Sequence, residues 1–315
     1  MELHQLRYFV AVAESNSFSK GAAACDVAQP SLSQQIQKLE REVGRRLFDR
    51  LGRTVALTDA GRALLPRARR ILAEVDGVER GVAEEIDDGR GALTIGAIPT
   101  VAPFLLPGAV SAFLKAQPQA QLLVREDLTG NLVEGLIRAE LDLCVCALPL
   151  DDDRLATEQL VAEPLLVAAA AGHPLARGRG IRPSELEGQP AVVLHELHCL
   201  GEQVSSFCRQ RRISPRIVCR TTQLTTVRSL VELGLGVSLV PRMCAATDAH
   251  GVCTYTPVDD PKLHRRVVVA WHKTRGRSRL GDRFIACLKA EAANLAARPI
   301  ATPKRRGGNK RNITQ

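Results

Sequence analysis

The stretch FSKGAAACDVAQPSLSQQIQKLEREVG constrains this chain more than any other, because Pro30 is best placed at the first turn of a helix, where its missing N–H would have had no partner. A helix therefore opens at Gln29 or Pro30. Asp26-Val27-Ala28 makes a tight turn before it, closing a short helix that Ser19 caps and that ends at Cys25. Ahead of both, LHQLRYFVAVA sets Leu3, Leu6, Phe9, Val10 and Ala13 on one stripe of a further helix. Two short helices joined by a turn of about three to four residues make a helix-turn-helix.

On the second of these helices Leu32, Ile36, Leu39 and Val43 point inward. Ser31, Ser33, Gln34, Gln37 and Lys38 are left outward, Gln35 lies at the edge, and Gln29 and Pro30 lead the helix. Side chains of this kind hydrogen-bond base edges or phosphates at the end of a helix that enters a major groove; the rival reading is a merely polar helix surface. Residues 45–58, RRLFDRLGRTVALT, alternate around Gly52 as a small hairpin, a wing with Arg50 and Arg53 at its tip in reach of phosphate. The first seventy residues hold twelve Lys/Arg against seven Asp/Glu, a local basic excess that suits a polyanion partner. Of the net charge of +9, five positive charges sit in the Gly- and Asn-rich tail TPKRRGGNKRNITQ, expected to be disordered.

MELHQLRYFVAVAESNSF has neither a basic leader nor a small-residue cleavage pattern, and no apolar run approaches the ~20 residues of a membrane helix. A cytoplasmic protein without membrane contact is expected. Its nine cysteines then start as thiols.

From Gly91 onward strand-like and helix-like runs alternate: ALTIGAIP, VAPFLLPGAVSAFLKAQP, QLLVRED, NLVEGLIRAE and LDLCVCALP. Such repetition predicts a parallel sheet with helices on both faces. A second unit begins near EPLLVAAA and continues through AVVLHEL, IVCRT and LTTVRSLVELGLGVSLVP, with RRVVVAWHK as a return strand to the first.

The segment HELHCLGEQVSSFC carries two histidines and two cysteines, Cys199 and Cys208. Leu200, Val204 and Phe207 have helical spacing, and a helix would separate the two Cα atoms by roughly 13 Å, whereas a disulfide needs less than about 7 Å. A bond between them requires that helix to unwind. Cys199, after a strand and a loop, would lie at the helix N-terminus, where dipole and free N–H groups lower a thiol pKa, with His198 beside it. A thiolate there could attack peroxide, and Cys208 could condense with the sulfenic acid. A metal site of His195, His198, Cys199 and Cys208, and plain structural cysteines, are the other readings; the C-x8-C spacing is no standard zinc pattern. Cys144 and Cys146 alternate along an apolar strand and read as core. Cys25 and Cys219 read as filler.

LRYFVAVAESNSFSKGAAACDVAQPSLSQQIQKLEREVGRRLFDR, continued by LTDAGRALLPRARRIL, resembles the N-terminal domain of LysR-type transcriptional regulators over an ungapped stretch of some seventy residues. The resemblance implies an α plus α/β fold. A winged helix-turn-helix (1–58) is followed by a linker and dimerisation helix (59–90), a two-lobed regulatory domain like the periplasmic binding proteins (91–300), and a basic tail (301–315). Lobe I would span about 91–162 and 268–300, and lobe II about 163–267. The helix from Thr58 to about Asp88 would pair through Leu64, Leu65, Ala68, Ile71, Leu72, Val75 and Val78, with a kink at Pro66. The family implies a homodimer or homotetramer on double-stranded operator DNA and contact with RNA polymerase.

His198-Cys199-Leu200, Gln203 and Phe207-Cys208 are similar to the peroxide-sensing OxyR branch of that family. By that resemblance hydrogen peroxide is the signal, Cys199 the peroxidatic and Cys208 the resolving thiol, and Thr100, Thr129, His198, Glu202 and Arg266 orient the peroxide. No cofactor is implied. Where the branch has Arg-Asp after Cys-Leu, this chain has Gly201 and Glu202: the carboxylate survives one methylene longer and the cation is lost. A regulator with a small organic effector between its lobes, or a thiol peroxidase, are the competing functions. Induction surviving Cys199→Ser would favour the first, and sustained NADPH-coupled peroxide turnover the second.

Overall fold

The computed structural model describes residues 1–51, 54–86, 90–177, 180–248, 251 and 253–300. Two compact units emerge, Met1–Gly91 with Glu134–Leu141, and Ala92–Val133 with the chain from Asp142 on.

The first unit opens with α1 (Leu3–Ser15), α2 (Phe18–Ala24) and α3 (Gln29–Val43). Ser17, not Ser19, caps α2: its hydroxyl accepts from the Lys20 N–H at 3.3 Å, because Phe18 is already helical. Asp26 holds the turn at φ 56°, a left-handed conformation that Asp tolerates better than most residues. Gly21 lets α2 lie against α1, since a Cβ there would come within 2.7 Å of Val12 Cγ2. Of the expected stripe of α1, Leu6 and Phe9 are buried together with Val12, Val10 and Ala13 are half-buried, and Leu3 is left exposed. Leu32, Ile36 and Leu39 of α3 are buried against them as expected, and Phe9 meets Phe48 with ring centroids 5.3 Å apart.

The wing is β1 (Phe48–Leu51) paired antiparallel with β2 (Thr54–Leu57), so that Leu51 faces Thr54. Arg50 lies on β1 opposite Val55. Arg53 lies outside the described residues, as does the basic tail. Glu40 ties α3 to the wing, its Oε1 accepting from the N–H groups of Leu47 (2.7 Å) and Phe48 (3.3 Å). Next comes α4 (Asp59–Ile86), with Pro66 inside it. Four residues of the expected pairing seam also serve the unit's own core: Ala68 and Leu72 are buried in it, and Leu64 and Leu65 pack against it. Ile71 is exposed.

The rest of the chain runs β3 (Gly91–Ala97), α5 (Ala102–Ala116), β4 (Ala120–Glu126), α6 (Thr129–Ile137), β5 (Leu143–Ala147) and β6 (Leu155–Ala170), all in the second unit except Gly91 and the end of α6 from Glu134. It continues with β7 (Pro190–Leu194), α7 (Cys199–Arg211), β8 (Arg216–Thr221), α8 (Leu224–Glu232) and β9 (Ser238–Pro241). It closes with α9 (Arg242–Ala246), β10 (Cys253–Pro257), β11 (His264–His272) and α10 (Arg279–Ala297). The expected parallel sheet is instead mixed. β3 and β5 are parallel, as are β7 and β8, but β11 returns antiparallel to both β5 and β6. A chain that must come back from its far end to fill a central position can do so in the reverse direction without a crossover helix.

β6 belongs to two pairing schemes. Leu155–Pro164 pairs β11, and Leu165–Ala170 pairs β9 and β10. Between α5 and α10 the core is built on Phe113 and Phe284, edge to face at 5.3 Å. Among the described residues no helix is long and apolar enough to cross a membrane. Replacing Glu40 by Ala leaves the Leu47 and Phe48 N–H groups without their partner. We expect a loss of about 1–3 kcal/mol, read as a lower denaturant midpoint, with Glu40→Gln retaining much of it.

Candidate functional site

Cys199 and Cys208 both lie on α7, which is unbroken from Cys199 to Arg211, and both are free thiols. The helical rise puts their Cα atoms roughly 13 Å apart, beyond disulfide reach. The seat of α7 is incomplete. A cavity of about 170 Å³ lies under it, lined by Leu200, Val204 and Cys208 of the helix and by Ala191, Val237 and Leu239. Gly201 is there because α7 crosses the end of β7 closely: a Cβ would stand 2.4 Å from the His195 carbonyl oxygen.

Cys199 is half-buried at the helix N-terminus, following His198 as N-cap. The expected lowering of its pKa does not result. Burial pushes the thiol up, outweighing the Arg265 charge, the hydrogen bond with the Thr129 hydroxyl and the Leu200 N–H, all of which pull it down. Cys208 is likewise pushed up by burial, against the pull of Arg209. Both sulfurs rest as protonated thiols at neutral pH.

The peroxide-orienting residues expected from sequence divide into two groups. Thr129, at the start of α6, reaches Cys199. Thr100, in the turn after β3, is buried and accepts from Arg265 twice, at its hydroxyl from Nη1 and at its carbonyl from Nη2, each at 3.1 Å. The arginine at this site is therefore Arg265 and not Arg266. β11 alternates, with Leu263, Arg265 and Val267 inward and His264 and Arg266 outward. The Glu202 carboxylate is exposed, one turn along α7 from Cys199, and its partner is Arg209, from which it accepts at 2.7 Å. His198 is buried, but its ring is bonded to the Thr222 backbone; burial and the nearby His195 hold its pKa below the usual imidazole range.

Sequence reasoning missed Glu163. This carboxylate pairs with Arg265 at 2.7 Å, with side chains 4% and 1% exposed, and its other oxygen accepts from the Met243 N–H at 2.7 Å. Stepping back by twos from Val267 along β11 would have placed Arg265 in the interior, where a buried carboxylate must meet it. Among the described residues, no group of three or more His, Cys, Asp or Glu could hold a metal, and that includes His195, His198, Cys199 and Cys208.

On the first unit, Gln29, Pro30, Ser31, Gln34 and Lys38 are exposed along the start of α3, and Ser33 is half-buried. Gln35 is drawn aside, accepting from Gln5 Nε2 at 3.1 Å. The face expected to meet nucleic acid is thus open on one side of α3.

Residues 3–62 match the family model for the bacterial regulatory helix-turn-helix protein of the lysR family, and residues 87–293 match the LysR substrate binding domain. The chain belongs to the LysR family. It is 33% identical over 297 residues to the DNA-binding transcriptional dual regulator OxyR of Escherichia coli K12, covering 94% of this chain and 96% of that protein. It is similar in structure to a full-length OxyR variant from Pseudomonas aeruginosa, with a TM-score of 0.73 at 30% identity, covering 96% of this chain and 99% of that one. A hydrogen peroxide-bound OxyR variant of Corynebacterium glutamicum matches with a TM-score of 0.63 at 30% identity over 96% of this chain and 97% of its own. Within the LysR family these relatives define the OxyR branch, where this chain falls.

The buried ion pair separates the two candidate arginines experimentally. Arg265→Met strands the Glu163 carboxylate and should cost about 3–5 kcal/mol in denaturant unfolding, whereas Arg266→Met should stay within about 0.5 kcal/mol of the parent. His198 gives a pH signature. A folded pKa below the unfolded one means that the unfolded chain binds the extra proton first, so stability is full above the ordinary imidazole range and falls as pH drops through it. Melting temperature should therefore fall on acidification from neutral pH, and His198→Gln should flatten that slope.

Proposed function

We propose that this LysR-family protein is a DNA-binding transcription activator that senses hydrogen peroxide by joining Cys199 to Cys208. The observation that carries the reading is that both thiols sit on one unbroken helix, too far apart to bond. A disulfide there cannot form as a silent mark, because closing it refolds the segment. The OxyR relatives and their peroxide-inducible regulation give the reading its chemical direction.

In this mechanism the Cys199 thiol loses its proton as peroxide enters, helped by the Arg265 charge and the Thr129 hydrogen bond. Sulfur attacks one peroxide oxygen, the O–O bond breaks, and the second oxygen leaves as water after taking the proton. Thr100 acts through Arg265, which it holds in place. Cys208 then condenses with the sulfenic acid, releasing a second water, once α7 has unwound. The cavity under α7 supports this step, since a helix that fills its seat poorly opens at lower cost. The reaction is stoichiometric sensing and not turnover.

The DNA partner is double-stranded operator, read by Gln29, Pro30, Ser31, Ser33, Gln34 and Lys38, with Arg50 and Arg53 of the wing on the backbone. The reading makes residues 1–58 the DNA-binding domain, 59–90 the linker, and 91–162 with 268–300 and 163–267 the two lobes of the regulatory domain. It places the protein in the cytoplasm, as a homodimer or homotetramer that contacts RNA polymerase. Self-association is supported by apolar side chains left in water on the second unit. Leu123 is 64% exposed on the edge strand β4, and Leu233, at the end of α8, is 81% exposed.

Thiol mapping by mass spectrometry before and after micromolar peroxide, alongside transcription from a bound operator, tests the reading. The expected result is a Cys199–Cys208 bond and induction in the parent, with both lost in Cys199→Ser and in Cys208→Ser while operator binding persists. Induction by peroxide in Cys199→Ser would overturn it.

A further inference from the structure

β5 carries two thiols that this switch does not use. Cys144 and Cys146 lie two positions apart on one face of the strand, fully buried, with their sulfur atoms in contact at 3.3 Å. Alternate Cα atoms of an extended strand stand roughly 6.6 Å apart, inside the span of about 4.4–6.8 Å that disulfides bridge. The Cβ atoms of such neighbours must still be drawn in to about 3.5–4.5 Å, so closing the bond pinches β5 locally and strains it, without unwinding a helix.

Their place in the sheet matters as much as their spacing. β5 runs parallel to β3, with Gly96 opposite Cys144 and Ala97 opposite Val145, and the Ile98 N–H donates to the Val145 carbonyl at 3.1 Å. Cys146 is thus at the end of the sheet from which the Thr100 turn emerges. Cys199 is anchored at the same end through Thr129, and Cys146 is near enough that a charge on one sulfur acts on the other.

We propose that Cys144 and Cys146 are a second redox pair, an in-strand disulfide loaded through Cys199 while α7 stays wound. The proposal rests on the sensor reading of Cys199. Peroxide first converts the Cys199 thiol to sulfenic acid, with water released. The Cys146 sulfur attacks the sulfenic sulfur, forming a Cys199–Cys146 bond while the hydroxyl leaves with the Cys146 proton as water. Cys144 then attacks the Cys146 sulfur, which closes the in-strand disulfide and returns Cys199 as a thiol carrying the Cys144 proton. In sum, two thiols and one peroxide become one disulfide and two waters. Cys199 is reset without the change of shape that signals.

Contact with Cys144 and burial hold the Cys146 proton tightly, so this capture is slow and shows best when Cys208 is missing. A strained in-strand bond would also be readily reduced, which suits a discharge route better than a staple.

The test uses the full-length Cys208→Ser protein, treated with equimolar hydrogen peroxide, alkylated under denaturing conditions and digested with trypsin. Cys144 and Cys146 fall on one peptide, between Arg138 and Arg154. The expected result is that this peptide loses two hydrogens and escapes alkylation, reversibly with dithiothreitol, while Cys199 is recovered alkylated. Adding Cys144→Ala should stop the sequence at a Cys199–Cys146 cross-link. In the otherwise unchanged chain, Cys146→Ala should raise the yield of Cys199–Cys208 bond per peroxide. Full alkylation of Cys144 and Cys146 with Cys199 driven on to sulfinic acid would overturn the proposal and leave the sensor reading intact. Failure of dimedone to trap Cys199 after peroxide would overturn both.

Discussion

Arg265 and Glu163 face each other across β11 and β6 almost out of reach of water, and each charge is tolerable there only because the other is present. From this pair the rest of the site is positioned. The guanidinium extends to the hydroxyl and carbonyl oxygens of Thr100, fixing the turn after β3, and the carboxylate's other oxygen accepts from the Met243 N–H in the first turn of α9. The guanidinium charge also acts on Cys199, opposing the desolvation that holds the thiol protonated. Four separate stretches of chain are held by one ion pair, which makes it both costly to break and hard to reposition.

Against that rigid centre, α7 is the yielding part. Its N-terminus is pinned by the His198 ring, the Thr129 hydroxyl and close packing at Gly201, yet its middle spans a cavity. Along its length Gln203 reaches the His264 carbonyl at 2.8 Å and Arg211 pairs with the buried Asp260. The reduced form is therefore held by a few polar ties and partial apolar packing. A covalent bond can outbid contacts of that kind, and it could not outbid the Arg265–Glu163 centre.

The sequence was most legible where backbone chemistry dictates form. Pro30 announced the start of α3, the run around Gly52 announced the wing, and Cys199 and Cys208 could be placed on a helix by the spacing of Leu200, Val204 and Phe207. It misled where two adjacent residues of one type leave parity undecided. Arg265 and Arg266 are chemically identical, and a bulge between Val267 and Val268 shifts the pairing beside them, so only the three-dimensional register tells which one turns inward. Glu163 looked like the polar border of an apolar run, because its partner lies a hundred residues away in the chain. Burial of Cys199 was equally hidden. Local position at a helix N-terminus favours a thiolate, but the side chains that exclude water come from elements far off in sequence.

β6 has one further bearing. Sixteen residues long, it serves β11 along its first part and β9 and β10 along its second, without a loop between. A strand shared in this way ties the β11 ladder to the β9 and β10 ladders through one continuous backbone. In the proposed switch the signal travels by local melting at α7, which leaves both ladders of this strand intact.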